Sequence, residues 1–476
     1  MAAEGPGGGS GDEGRRVLTG WGRTAPSAAD VRVPGQLAAV DALLTSVPPR
    51  GVIARGLGRS YGVAAQNAGG EVIASTRMGQ IRKADLVAGV VEVEAGLSLD
   101  KLMRALVPLG WFPMVTPGTR HVTIGGAVAG DIHGKNHHRD GSFCNHVRRL
   151  TLHTVTGESR VLGPEHDSEA FWATAGGMGL TGVVTDAVLQ LHPVETAWMS
   201  VDTERCRDLD AVMGRMSASD EDYQYSVAWI DCLARRGQLG RSVLTRANHA
   251  TLEQLPPRER ADPLAFAPKT PLGAPRWAPA GLLNQLSIRA FNEMWFRKAP
   301  RLRRGELQEI GSYFHPLDGV EGWNRLYGRR GFVQYQFVVP FGAEDTLSRV
   351  LSDLAAARCA SFLSVLKRFG RANPGPLSFP MPGWTLATDI PASWPGLAPL
   401  LDRLDVLVAE AGGRVYLAKD SRLRPELLPA MYPELHRWQK VRDELDPDGR
   451  LQSDLSRRLW TLTGRVQWPA WVARTQ

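Results

Sequence analysis

The sequence predicts a fold that mixes helices and strands, α+β or α/β, divided into more than one domain. Three observations carry this. Short apolar runs alternate with glycine-rich turns up to Pro193, the texture changes directly after it, and 476 residues leave room for two or three domains of ~150 residues each. With 43% hydrophobic and 22% charged residues the chain has ordinary globular usage, which excludes fibrous and intrinsically disordered classes.

Residues 52–54, 72–74 and 87–93 read as strands. Residues 99–109 read as a helix, because Leu99, Leu102, Met103 and Leu106 share one face; Asp100 lies near its start and Gly110 supplies the stop. Residues 331–340 read as a strand with Gln334 and Gln336 on one face and Val333, Tyr335 and Phe337 on the other. A sheet lining a polar cavity and a solvated sheet face both give that pattern. Seven prolines between Pro256 and Pro279 punctuate a long segment, 256–300. Its apolar residues Trp277, Leu282, Leu283, Trp295 and Phe296 stand beside Arg276, Arg289, Arg297 and Lys298, which suits either a lipid-facing lid or an irregular packed loop. Residues 397–411 read as a helix ended by Gly412 and Gly413, residues 414–418 as a short strand delivering Lys419, and residues 432–445 as a basic amphipathic helix stopped at Asp446 and Pro447.

The formal net charge is +7, built from 48 Arg and only 8 Lys against 49 acids. The cations are spread out, without the long basic run of a nucleic-acid tail, so no nucleic-acid partner is expected. Attraction to phosphates or to an anionic membrane surface is compatible with this charge. Cys144, Cys206, Cys232 and Cys359 are too widely spaced for a disulfide scaffold and read as reduced, mostly buried thiols. The glycine-rich start reads as a disordered tail, not a signal peptide, and no run of ~18 apolar residues occurs. The expected location is cytoplasmic or membrane-associated, with the cell-envelope face left open.

Three motifs carry chemistry. The first is Arg55, Gly56, Leu57, Gly58, Arg59, Ser60, Tyr61 and Gly62, directly after a strand. Its glycines bring backbone N–H groups close to an anion such as a diphosphate, although a plain tight turn gives the same pattern. It is not a dinucleotide fingerprint, because Tyr61 stands where the third glycine would be. The second runs from Pro117 to His138. Gly118, Thr119, Thr123, Gly125, Gly126 and Ala129 make a backbone against which a large flat group can lie, and Asp131, His133, Lys135 and Asn136 follow in dense order. Asp131, His133, His137 and His138 are possible metal ligands, but Gly134 and the preceding glycines argue against a regular helix that would align them, so no metal is expected. The third exposes backbone again through Gly176, Gly177, Gly179 and Gly182 before a β-branched strand at Val183 and Val184.

Three separated glycine-rich cradles in one N-terminal region resemble the vanillyl-alcohol-oxidase class of FAD-binding domain. Several longer words resemble one family within it, the decaprenylphosphoryl-β-D-ribose 2-oxidases, the FAD-dependent subunit of the corresponding 2-epimerase. These words begin at Thr19, Phe143, His315, Pro376 and Ala418, and the resemblance runs from about Leu18 to Leu459. It implies a two-domain α+β flavoprotein, with an FAD-binding domain at 16–196, an antiparallel-sheet substrate domain at 197–413, a C-terminal part at 414–462 returning to the FAD domain, and tails at 1–15 and 463–476. It implies oxidation of the 2-hydroxyl of a polyprenylphosphoryl ribose, by hydride transfer from C2 to the flavin while a base takes the hydroxyl proton. The keto product would go to a separate NAD(P)H-dependent reductase. Other implied readings are another sugar or alditol oxidase of this fold, or a flavin-binding non-catalytic paralogue.

The resemblance also assigns roles. The three motifs hold FAD, with Gly177, Gly179, Gly182 and Val184 from the third. Class members that attach FAD covalently carry a histidine where Arg59 stands, so FAD is expected to be non-covalent. Tyr61, His133 and Lys419 are the expected catalytic groups and are expected to touch the FAD as well. Lys419 is foremost, either as a base of lowered pKa or as a charge that stabilises the reduced flavin or binds phosphate. Lys135, Gln334, Gln336, Lys367 and Ala387 are expected around the substrate, and Trp229 is either a pocket wall or a core aromatic. The chain departs from the family's usual words at Val63 and Ala64, at Phe314, and at Thr385 and Ala387, where Asn and Cys are frequent. These departures bear on substrate identity more than on fold or cofactor.

Overall fold

The computed structural model describes residues 13–268, 272–274, 284–359 and 361–460. Its first four strands are β1 (Gly14–Leu18), β2 (Ser27–Arg32), β3 (Val52–Arg55) and β4 (Glu71–Ala74). They form a sheet of order β1-β2-β4-β3, antiparallel between β1 and β2 and parallel elsewhere. The expected tail therefore stops short: residues 1–12 lie outside the described residues, but Gly14 already pairs with Val31. Next come β5 (Ile81–Asp85), β6 (Val90–Glu94), β7 (Trp111–Pro113), β8 (Val147–His153), β9 (Ser159–Leu162) and β10 (Val183–Pro193). They build an antiparallel sheet of order β5-β6-β10-β8-β9, with β7 also on β10.

The predicted single strand at 87–93 is half a hairpin. Residues 86–89 turn, because the Asp85 carboxylate accepts from the N–H groups of Val87 and Ala88 and Gly89 takes φ +64°. The predicted helix at 99–109 holds over Leu99–Leu106 and tightens into a 3-10 turn at Val107–Leu109. Asp100 lies in its first turn, and Ser98 caps it, with the hydroxyl accepting from Lys101 N.

The remaining strands are β11 (Trp198–Cys206), β12 (Tyr225–Ile230), β13 (Ser242–His249), β14 (Leu272–Gly273), β15 (Leu302–Glu309), β16 (Val320–Glu321), β17 (Phe332–Pro340), β18 (Ser364–Phe369), β19 (Gly383–Pro391) and β20 (Arg414–Val415). Eight of them form one antiparallel sheet, β15-β11-β13-β12-β18-β19-β17-β20, and β14 pairs with β16 in parallel.

The segment 256–300 is not loop throughout, since residues Gln285–Lys298 form a helix whose Asn284 side chain accepts from two backbone N–H groups. Trp277, Leu282, Leu283 and Arg276 lie outside the described residues, as does the tail 463–476. The late strand is shorter than its sequence suggests. It pairs with β17 only at Arg414 and Val415, and Lys419 sits on the turn beyond it. The helix expected at 432–445 starts at Leu435, after Pro433.

That turn crosses back to the first motif. Tyr61 N donates to Ala418 O at 3.0 Å, and Tyr416 N donates to Gln336 O at 3.0 Å. The approach is so close that a Cβ on Gly62 would stand 1.7 Å from Asp420 O. Farther along, Trp438 is buried in the main core and donates from its indole to Ala173 O at 3.0 Å, which locks the C-terminal helix onto the segment before the third motif.

Candidate active site

The three glycine-rich motifs meet. A Cβ on Gly56 would lie 2.1 Å from the Thr123 hydroxyl, so the first and second motifs touch there. Thr123 also caps the helix Ile124–Ala129, its Oγ1 accepting from Gly126 N at 3.2 Å. The third motif hooks onto the end of that helix: Gly176 N donates to Val128 O and Met178 N to Ala129 O. Gly176, Gly179 and even Met178 take positive φ to make this turn. Gly177 is packed against the Ala173 carbonyl and Gly182 against the Leu152 side chain and the His153 carbonyl, and Val184 of β10 pairs with Leu152 of β8.

Two members of the set hold the cradle from behind. The Arg55 guanidinium is buried and donates to Ala65 O and Thr19 O, which fixes the first loop. The Thr119 hydroxyl donates to Asp318 at 2.7 Å, while Arg120 N donates to the same carboxylate at 2.9 Å. Thus the word at His315 meets the word at Pro117, and His315 itself shares a hydrogen bond with Thr116. Gly118 faces open space, with no atom within 4 Å of where a Cβ would be. Arg59 lies over the Trp21 ring at 4.0 Å, and its Nε is buried without a partner among the described residues.

The register of the large sheet assembles the other side. Trp229 pairs with Val365, Val365 with Ala387, and Ala387 with Gln336, so these four residues of β12, β18, β19 and β17 share one face. Two residues along each strand, Lys367, Thr385, Asp389 and Gln334 join that face. Gln334 and Gln336 are buried, so the face is not the solvated one that the sequence left open. Trp229 is half-buried, and its indole donates to Phe362 O at 3.0 Å.

Over this face stand His133, Lys135, Tyr61 and Lys419. Gln336 contacts His133 Nε2 at 2.9 Å through its amide nitrogen. That N–H can only donate, so Nε2 accepts and the ring proton sits on Nδ1. Nδ1 is buried with no partner among the described residues, a donor left for a guest. Burial first, then Lys367 and its neighbours, holds this imidazole well below its ordinary pKa, in the neutral form. Lys419 Nζ lies 3.7 Å from the centre of the Tyr61 ring. Lys135 lies 4.0 Å over the Tyr313 ring and donates to Tyr313 O. His137 and His138 turn elsewhere, to Gly370 N and to the carbonyls of Asp220 and Tyr223.

Three lysines converge here. Burial lowers Lys135 to about 7, with Lys367 adding to the effect. Burial alone lowers Lys367 to about 8. Burial lowers Lys419 to about 7, opposed by Asp389 and aided by Lys367. All three side chains keep part of their surface accessible deep in the fold, as groups lining a cavity do. Asp389 was missed by the sequence reading. It is fully buried, accepts from Gln334 Nε2 at 2.6 Å and faces the Tyr327 hydroxyl at 3.4 Å. Burial raises it to about 7, against the pull of Gln334 and Lys419. The alternation Thr385, Ala387, Asp389 on one strand is the signal that could have found it.

Cationic side chains around a glycine-rich cradle, with an orphaned ring N–H between them, suit a large anionic guest with a phosphate group. Comparison with known proteins gives that guest a class. A family model described as an FAD binding domain matches residues 30–163, and one described as D-arabinono-1,4-lactone oxidase matches residues 395–459. The decaprenylphosphoryl-beta-D-ribose oxidase of Mycolicibacterium smegmatis is 44% identical over 94% of this chain and 97% of its own length. The "Uncharacterized protein in mprA 5'region" of Streptomyces coelicolor is 43% identical over 76% of this chain and all of its own. Cytokinin dehydrogenase 10 of Oryza sativa is 32% identical over 34% of this chain and 30% of its own length.

Proposed function

The chain belongs to the family of the decaprenylphosphoryl-beta-D-ribose oxidase and binds FAD, and from that premise we propose that it oxidises the 2-hydroxyl of a polyprenylphosphoryl-β-D-ribose to the 2-keto sugar. The observation that carries this reading is the convergence of Lys135, Lys367 and Lys419 on the Gln334–Gln336 face, opposite the glycine cradles. Residues 16–196 and 414–462 are read as the cofactor half and residues 197–413 as the substrate half. The FAD is non-covalent, since Arg59 offers no nucleophilic ring nitrogen and lies over Trp21.

Bound FAD supplies the two-electron acceptor for the sugar carbon. Lys419 Nζ, with its pKa brought to about 7, is free at neutral pH to take the hydroxyl proton. The Tyr61 phenol, raised by burial and then by Asp389, stays protonated and walls that amine. Gln334 is held by Asp389, and Gln336 by His133, so both amides reach the sugar in fixed rotamers. His133 Nδ1–H is a neutral donor available to the cofactor. Lys135 and Lys367, lowered to about 7 and about 8 in the empty site, meet the substrate phosphate as compact cations because its negative charge favours their protonated forms. Trp229 and Ala387 shape the wall between them.

The keto sugar still needs a hydride on its other face to become the arabinose epimer. A separate NAD(P)H-dependent reductase supplies it, placing the pair in formation of the arabinose donor for cell-wall arabinan. The lipid tail places the protein at a membrane surface, with contact through 256–300. Among the described residues no helix is long and apolar enough to cross a membrane.

Incubation with a short-chain prenylphosphoryl ribose and an electron acceptor should give a product two hydrogens lighter by mass spectrometry. The arabinose epimer should appear only when a nicotinamide-dependent reductase is added. Formation of that epimer by this chain alone would contradict the division of labour.

A further inference from the structure

The helix Gln285–Lys298 carries an apolar stripe on the side the fold leaves bare. Leu286 is 79% exposed, Met294 57% and Trp295 43%, and Ala290 is exposed between them. Residues 286, 290 and 294 recur every four positions and so share one face, while Trp295, about 100° farther round, lies on the flank with Phe291. The opposite face is seated. Ile288 packs with Cys232 and Leu233, and the wholly buried Asn292 donates to Asp231 at 2.7 Å. A polar and an apolar anchor together hold the bare stripe outward.

Cations frame the stripe. Arg289, Arg297 and Lys298 are exposed on the helix, and Arg301, Arg303 and Arg304 follow at the start of the edge strand β15. The helix's one acid, Glu293, is engaged with Arg241 and Arg297. Aromatic contacts connect this face to the candidate site. Phe291 stacks with Trp295 at 6.0 Å and meets Phe362 edge-on at 6.2 Å. Phe362 in turn stacks on Tyr327 at 5.8 Å, and its carbonyl accepts from the Trp229 indole.

Two occupants suit an exposed apolar stripe. A second copy pairing through the same face would bring together two sets of cations in which Arg289, Lys298, Arg301 and Arg304 outnumber the acid-paired Arg297 and Arg303, which like-charge repulsion opposes. An anionic headgroup layer would neutralise those cations while taking up the apolar side chains. A short basic helix with its apolar face bare lies in the plane of such an interface and does not cross it. We propose that this face docks the protein on an anionic membrane surface, next to the candidate site that it meets through Phe291 and Phe362. The proposal deepens the lipid-substrate reading above and rests on it for its purpose. Its test involves no turnover, so failure of either can be told from failure of the other.

The test is co-sedimentation of the full-length, flavin-loaded protein with vesicles. One set is phosphatidylcholine alone and the other contains about one-third phosphatidylglycerol. Expected is binding to the mixed vesicles at least ~10-fold tighter than to the neutral ones, weakening as salt is raised. The pair Leu286→Asp and Met294→Asp should lower mixed-vesicle binding ~10-fold with flavin absorbance and melting unchanged. Should that pair misfold, Arg297→Glu with Lys298→Glu tests the charge alone and should give a similar loss. Equal binding to both vesicle types, no binding to either, or a dimer that Leu286→Asp dissociates would overturn the proposal.

Discussion

An ammonium group taken out of water loses hydration that protein dipoles replace only in part, and Lys419 shows the consequence. Burial and the nearby Lys367 lower its pKa, while Asp389 works against them. The base must be neutral to accept a proton, so turnover should rise with pH through about 7, the value set for Lys419. Asp389 and Lys419 titrate as a coupled pair, and removing the carboxylate removes the charge that favours the protonated amine. Asp389→Asn should therefore move the rising limb of the pH–rate profile to lower pH. A limb that stays put, or moves up, would show that Asp389 does not act through Lys419. Lys419→Ala should keep its yellow colour and lose ~10²–10⁴-fold in kcat. Arginine would not substitute at this position, because a guanidinium does not release its proton near neutral pH.

Two elements bring the amine to its place, and each makes a distinct prediction. The turn after β20 meets the first motif at Gly62, where a Cβ would strike backbone atoms of Asp420 at 1.7 and 2.5 Å. Backbone on both sides leaves no flexible group to yield. Gly62→Ala should cost about 2–4 kcal/mol in a denaturant melt and displace Lys419 from the site. Gly35→Ala, facing open space away from the cradles, is the control that should melt as the parent does. Strand β19 carries the second prediction. All four cysteines are buried, and burial pushes Cys206 up to about 11 and Cys232 and Cys359 up to about 12. The native protein should resist thiol alkylation. Ala387→Cys would set a thiol beside Gln336 on the substrate face, where alkylation should be fast and slowed by substrate. Labelling at the same slow rate as the parent would mean that position 387 does not face the site.

Across the whole molecule, what could be read in advance was what is written locally. The glycine cradles are contiguous words, and so is the run from Asp131 to Asn136; their backbone demands show in residue type alone. What could not be read is what long-range pairing decides. The line Trp229, Val365, Ala387, Gln336 exists only because three strand pairs adopt one register. Asp389 reads as an ordinary strand acid until Gln334 is placed opposite it. The helix Gln285–Lys298 was obscured by the prolines before it, and the hairpin turn at 86–89 by the valines around it. The eight lysines of an arginine-rich chain gain meaning only in the fold, where three of them face one space. Anaerobic bleaching of the bound flavin tests most directly whether that space is the site of sugar-lipid oxidation. A prenylphosphoryl ribose should bleach the visible absorbance, while free ribose and simple alditols leave it intact. Bleaching by free sugars as readily as by the lipid-linked one, or by none of them, would contradict the account.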